Sequence, residues 1–535
     1  MAETNRLLNG RGSKKSTESS NLSPSESRHP KSSTPELFGT VTIVPGRERP
    51  PRAVSDRVAT TRAVVAQLDR ATGYELVGWG FESLRPHAPS RQRDDERPER
   101  GRKCNPSRSV RRRRDRQPLR RRTVSANEPA VAVDPNNSAH IIASANDYRF
   151  GDSQKGLYSA LAGPFSFTDT VVQYVNSGPY YYNAAGDPST GIDRSGTDYF
   201  GMLAFDRTTP GRSAVIVARS LPSATGLFVN RIPVALDQQA ATSGIFDDKD
   251  SLAVDNVLGS PSSGSIYSAF TQFVPGSSPI VAAFSRSQGA TFATPVLVSK
   301  PGGAALCPFD AGACADDQAS TIGVGPKGIV YIAYENFDTV TVQDQILIAA
   351  CFDGGATFGA PAKVSDDYDI ANPYGTFRVN SFPNLAVNPV TGELYVAWAD
   401  QRSGSPEIDI STSTAGIHGP WSKPITVRPP LLGGFRFFPA VAVSAATGDV
   451  YVSYYDNIAH PGTDAYDYDY RRFGANLKPQ TPPVRVSKTT ITPAVSFSDT
   501  FFGDYTGAAA TARGAQVIWT GTSTGKQDIE TAAVR

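Results

Sequence analysis

The stretches GIVYIAYEN (Gly328–Asn336), GELYVAWAD (Gly392–Asp400) and GDVYVSYYD (Gly448–Asp456) decide how this chain is read. In each, a turn rich in Gly and polar residues gives way to aliphatic and aromatic side chains at every second position, and the run ends on a polar residue. A period of two half-buries a β-strand, because successive side chains leave opposite faces of a sheet. Less regular copies read HIIASAND to Asp147, TDYFGMLAFD to Asp206, SIYSAFTQ to Gln272 and AQVIWTG to Gly521.

Upstream of each such strand stands a short anchor: a turn signal, two variable positions, a small residue and usually an aliphatic one. The anchors are PAVAV at Pro129, PSTGI at Pro188, DSLAV at Asp250, STIGV at Ser320, PNLAV at Pro383, PAVAV at Pro439 and DYTGA at Asp504. From one small residue to the next (Ala132, Gly191, Ala253, Gly323, Ala386, Ala442, Gly507) the steps are 59, 62, 70, 63, 56 and 65 residues. A third strand follows, as in QILIAA (Gln345–Ala350) and EIDISTS (Glu407–Ser413), then a glycine turn, an aromatic and a short fourth strand such as PVLVS to Ser299. Four antiparallel strands repeated at this period predict an all-β chain, a β-propeller of seven blades, with six as the alternative count. The seventh unit ends after its third strand, while RRTVS (Arg121–Ser125) resembles the fourth-strand endings at Ser365 and Ser487. An N-terminal strand is therefore expected to complete the last blade and close the ring, which removes exposed edges. The folded unit is expected to span residues 119–535.

Charge divides the chain at the same place. Residues 1–124 hold 28 Lys and Arg against 14 Asp and Glu, whereas residues 125–535 hold 25 against 37. The repeat region is thus acidic by 12 charges, which argues against nucleic acid as a partner, since phosphate binding needs clustered cations. No run of eighteen apolar residues suggests a membrane span. Residues 1–118, rich in Ser, Pro and Arg, cannot bury a core and read as a disordered basic extension. Within it, Val64–Pro86 resembles the conceptual translation of a transfer-RNA gene, which implies that the start codon lies too early and that an export signal would not be visible in this reading frame. Cys307 and Cys314 frame CPFDAGAC between two blades. They read as a short-loop disulfide of an oxidising compartment, against two free thiols.

CFDGGATF (Cys351–Phe358) and SRSQGATF (Ser285–Phe292) resemble the Asp-box, the bacterial neuraminidase repeat, whose pattern is Ser-x-Asp-x-Gly-x-Thr-aromatic. The first keeps Asp353, Gly355, Thr357 and Phe358 with Cys351 in place of Ser; the second keeps Ser285, Gly289, Thr291 and Phe292 with Ser287 in place of Asp. Such a box is structural: its carboxylate caps hairpin N–H groups, its glycine takes positive φ and its aromatic packs into the blade. With these boxes, residues 119–535 resemble the bacterial sialidase-like propeller proteins. The resemblance implies a secreted or cell-surface, monomeric protein directed at an extracellular glycan or glycoprotein, and it implies six blades where the anchors number seven.

If the boxes mark the bottom face, the loops between second and third strands and the connections between blades form the top. Carboxylates, Arg and aromatics gathered there suit sugars, whose rings stack and whose hydroxyls and acidic groups need polar partners. A sialidase-type site would need three arginines, a Tyr activated by a Glu and an Asp acid/base. By that resemblance the candidates are Arg378, Arg402 and Arg436 with Arg149 in reserve, Glu335 with Tyr505 or Tyr374, and Asp248. The family's Arg-Ile-Pro occurs at Arg231–Pro233 on a fourth strand rather than in the first blade. The competing reading is a non-catalytic surface propeller that binds protein or polysaccharide. No cofactor is required by either; the Asp-rich loops DDYD (Asp366–Asp369) and DAYDYDY (Asp464–Tyr470) are candidate Ca²⁺ loops against the plainer reading of solvated turns.

Overall fold

The computed structural model describes residues 125–148, 154–160, 168–172, 175–177, 180–206, 212–221, 224–237, 244–300, 316–337, 343–429, 433–493 and 501–535. Expectations placed on the basic N-terminal region, including Val64–Pro86 and most of RRTVS, fall outside these residues, as do Arg149, Cys307 and Cys314.

Seven antiparallel sheets follow one another along the chain. Their innermost strands are Ala126–Val133, Ala184–Ile192, Phe246–Val254, Asp317–Val324, Asn384–Val387, Arg436–Val443 and Gly507–Thr511, and each carries an anchor or the end of one. The first six sheets are four-stranded, and the seventh has three strands among the described residues. A separate two-stranded ribbon joins Val175–Ser177 to Tyr180–Tyr182. The second strands end where the alternation stops, at Asp147, Asn336, Asp400, Asp456 and Gly521. They are buried along their whole length in every blade, with Gln272 alone half-buried, because both of their faces are covered by neighbouring blades. Among the described residues no helix is long and apolar enough to cross a membrane.

The small anchor residue has a steric reason. A Cβ on Gly191 would lie 2.6 Å from Leu252 and 2.8 Å from Val254 of the next blade, and one on Gly323 would collide with Val387. At Gly507 the added carbon would meet Ile518 at 2.9 Å and the carbonyl of Pro129 at 3.2 Å, so the last blade packs on the first. These three glycines are points where one innermost strand packs closely against its surroundings. Ring closure is also hydrogen-bonded: the Ala126 N–H donates to the Gln527 carbonyl at 3.0 Å, and Asn127 Nδ2 donates to Gln527 Oε1 at 2.9 Å. The core is divided among blade interfaces, as expected of a ring of repeats. In the sixth blade and at its contact with the seventh it is aromatic, with Phe437 stacked on Tyr455 within the sixth at 4.7 Å and Tyr468 on Trp519 of the seventh at 4.7 Å.

Register fixes the two faces. Ala126 pairs with Asp147, Asp317 with Asn336 and Arg436 with Asp456, so the starts of the innermost strands share an end with the second-strand termini. Val330 pairs with Cys351 at the opposite end, which carries the box hairpins.

Candidate functional site

Just before the anchors, the innermost strands depart from regular pairing. Register slips between Asn127 and Ala130, Gly186 and Ser189, Asp248 and Ser251, Gln318 and Thr321, and Phe437 and Ala440. The residue preceding each of these anchors has positive φ: Glu128 (54°), Asp187 (52°), Lys249 (51°), Ala319 (58°) and Phe438 (50°); in the seventh blade that place is taken by Gly503 (99°). A bulge with an αL residue kinks the strand and re-aims its side chains, and its recurrence at one level makes a ring of such residues around the axis. A cavity of about 40 Å³, room for a few waters, lies there, lined by Lys249, Ala319, Phe382, Phe438, Asp504 and Tyr505 among others.

Around it the blades gather five carboxyls and two cations. Arg378 donates to both oxygens of Asp504, with the Nε contact at 2.8 Å, and Asn380 donates to the Asp504 carbonyl at 3.0 Å. The Asp504 N–H donates to Glu128 Oε1 at 3.1 Å, which ties the seventh blade to the first; Asn146 donates to Glu128 Oε2. The Lys249 N–H donates to Asp187 at 3.1 Å, and Ser189 donates to Asp250 at 2.6 Å. The Lys249 ammonium sits 3.9 Å from the centre of the Tyr505 ring, a cation–π contact.

Burial dominates the electrostatics of this cluster. It drives the pKa of Glu128 well above the usual carboxylate range, Asp187 and Asp504 add to the rise, and Arg378 and Lys249 oppose it. Asp248 is raised in the same way by burial, then by Asp187, with Arg378 opposing. Asp504 is raised by burial but held back chiefly by Arg378. The Tyr505 phenol is pushed up by burial and then by Glu128 and Asp187. Asp248 Oδ1 and Tyr505 Oη are among the buried atoms of the cluster without a hydrogen-bond partner. A buried polar atom left unmatched costs about 1–3 kcal/mol, and such atoms concentrate where a ligand or water completes the set.

Of the residues singled out from the sequence, Asp248, Tyr505 and Arg378 therefore come together. Glu335 does not join them: it lies at the top of the fourth blade, where its charge partners are Asp369 and Asp344. Arg402 folds back on Asp400, with its Nε 2.9 Å from Oδ1, and also reaches the Asp366 carbonyl. Arg436 is fully buried and donates to Asp456 at 3.1 Å. Arg149 lies outside the described residues. Glu128 and Asp187 did not stand out in the sequence. The signal was present as the position directly before each anchor, but nothing local says that such a residue turns inward until the bulge is known.

The box hairpins show the contrasting arrangement. Asp353 Oδ1 accepts N–H bonds from Ala356 (3.0 Å) and Thr357 (2.9 Å), and Oδ2 accepts the Thr357 hydroxyl at 2.7 Å. Cys351, a buried free thiol, stands where the pattern has Ser: it donates to Asp353 and its sulfur accepts the Gly355 N–H, both at 2.9 Å. In the second box Ser287 takes the place of the carboxylate and accepts the Thr291 N–H at 3.0 Å, while Ser285 accepts that of Gly289 at 2.9 Å. Phe358 is buried and Phe292 packs partly buried against its blade.

No protein-family profile matches the chain, and no curated protein matches it. Among solved structures it is similar to an ulvan lyase of polysaccharide lyase family PL25 (11% identity, 77% of this chain and 94% of that one, TM-score 0.45). It is also similar to a Hadza microbial sialidase (10% identity, 75% of each chain, TM-score 0.42). A third likeness is to a Dyadobacter fermentans protein of unknown function (15% identity, 63% of this chain and 92% of that one, TM-score 0.39).

The axial cluster has the chemical means for acid–base work. A carboxyl kept protonated by burial can donate a proton, a phenol among carboxylates can be activated by one of them, and Arg378 and Lys249 can face an anionic group.

Proposed function

We propose that this is an exported glycan-directed propeller that acts on its ligand at the axial cluster as an exo-type glycoside hydrolase. The observation that carries the reading is the pair of unmatched buried atoms, Asp248 Oδ1 and Tyr505 Oη, in one cluster with Glu128 and Arg378. In this reading Asp248 is the acid, Tyr505 the nucleophile, and Glu128 in its ionised form its base through a water of the cavity, since Tyr505 Oη has no direct partner; Arg378 with Lys249 orients an acidic sugar. Of the three candidate arginines only Arg378 joins the axial cluster, where it is itself paired with Asp504; Arg402 and Arg436 pair with Asp400 and Asp456.

The test is turnover of a panel of fluorogenic glycosides, a sialoside included, by the full chain. Release by the wild type, lost in Tyr505→Phe and Asp248→Asn with thermal stability retained, supports hydrolysis. Cleavage of neutral glycosides but not the sialoside removes the sialidase form. No turnover anywhere, with binding to a glycan array that depends on Arg378, leaves a non-catalytic binder; neither turnover nor binding overturns both readings.

A further inference from the structure

A second group of carboxyls lies at the top end of the fourth blade. Glu335 closes the second strand, Val330–Asn336; Asp344 opens the third, Gln343–Cys351; Asp367 and Asp369 lie at the end of the fourth, Ala362–Tyr368, and just beyond it. One oxygen from each of Glu335, Asp344 and Asp369 falls within 4.8 Å of the others. Asp344 and Asp367 are directly opposed across the ladder, an arrangement of like charges that destabilises a sheet unless something neutralises it. Both are wholly buried, and Glu335 is 4% exposed.

Asp367 supplies the observation that points to a ligand. It is a fourth carboxyl outside that trio, it is 0% exposed, and its Oδ2 has no hydrogen-bond partner; Glu335 Oε1 has none either. Asp367 lies beside Glu335, and its Oδ1 accepts the Tyr368 N–H at 2.7 Å, which leaves Oδ2 as the unmatched oxygen. Among the described residues, Lys363 pairs with Asp366 and Arg402 with Asp400. The other Asp-rich loop differs on this point. There Asp467 pairs with His460 and Arg485 at 3.1 and 3.0 Å, and Asp469 with Arg428 at 2.9 Å.

We propose that Glu335, Asp344, Asp367 and Asp369 form a Ca²⁺ site that clamps the top ends of the second, third and fourth strands of the fourth blade. All donors are hard oxygens, with no Cys or His to favour zinc. Calcium bonds oxygen at roughly 2.3–2.6 Å, so donors on opposite sides of one ion stand about 4.6–5.2 Å apart, which spans the 4.8 Å limit met here. Magnesium holds its ligands at about 2.0–2.1 Å and demands a tighter octahedron. Asp369, the partly exposed member, leaves the site open to solvent for entry and for bound water.

The test uses the full chain freed of metal and titrated with CaCl2 by calorimetry and by thermal unfolding. The expected result is one ion per chain, a dissociation constant of about 10⁻⁶–10⁻³ M, and a melting temperature that rises with calcium. Asp344→Asn and Glu335→Gln should weaken binding at least tenfold, and without calcium they should melt no lower than the wild type, since they relieve repulsion. If either fails to fold, Asp369→Asn at the rim carries the same test. Asp467→Asn on the other loop should leave the calcium response intact. Absence of a calcium response in the wild type overturns the site, as does binding unchanged in every fourth-blade variant. A response to MgCl2 equal to that for CaCl2 overturns the assignment to calcium.

Discussion

The box hairpin and the axial cluster each turn on an aspartate, Asp353 in one and Asp248 in the other, yet the two reach opposite electrostatic states. At Asp353, desolvation pushes the pKa up, but bonds from Cys351, Thr357 and Ala356 outweigh it and bring the carboxyl down to about 2. The group is exposed, ionised and saturated with donors. At Asp248, burial wins and an oxygen is left without a partner. A carboxylate whose bonds are all made locally stabilises a turn and has nothing left to offer a substrate. One that is buried and unmatched costs stability, and that cost is the mark of a site.

The contrast breaks most sharply through catalysis. Tyr505→Phe and Asp248→Asn should each lower kcat by about 10²–10⁴-fold with little change in melting temperature, whereas Asp353→Asn should leave kcat unchanged. A box variant that abolished turnover, or axial variants that left it intact, would erase the distinction. Arg378→Ala comes next: it strands Asp504 beneath the surface and should cost about 2–3 kcal/mol in denaturant unfolding, less than the roughly 3–5 kcal/mol of a fully buried broken pair because Arg378 is 23% exposed. Gly355→Ala should destabilise by about 2 kcal/mol, because Gly355 has φ 97° and an added Cβ would stand 2.8 Å from Phe284. Asp353→Ala, which loses only exposed bonds, should cost about 1 kcal/mol.

Acidity separates the two kinds of carboxyl by sign. Burial, opposed by the 3.0 Å bond from Gln272 and reinforced by Asp237, brings Asp247 up to about 7. Unfolded, it would lose its proton near 4. Between these values the folded state holds the extra proton, so its contribution to stability falls as pH rises from about 4 to about 7. Asp353 has the reverse sign: its stabilisation is present above about 4 and disappears as pH drops through about 2. Unfolding midpoints measured across pH should therefore flatten between 4 and 7 in Asp247→Asn and lose their acid-side fall in Asp353→Asn; the opposite assignment would refute the burial argument.

Much of the architecture was legible because it is local. Alternation placed the second strands to the residue at Asn336, Asp400 and Asp456, and the anchors gave the seven innermost strands. The small residue of each anchor could be seen to recur, but its reason, the crossing of Gly191 by Leu252 and Val254, needs the neighbouring blade. The top-face candidates were readable only as a crowd. Glu335, Arg402 and Arg436 share residue type with members of the axial cluster, and only tertiary structure assigns them to ion pairs and carboxyl groups of their own blades.

By itself, then, the sequence determined the blade, its period, its count and the box turns, because each depends on hydrogen bonds and side-chain alternation within about sixty residues. Tertiary structure decided which polar residues meet. Glu128 accepts the N–H of Asp504 from 376 positions away, and that contact exists only once seven blades close on one axis and the bulged residues turn toward it. Convergence of this kind follows from the geometry of the ring rather than from any local propensity.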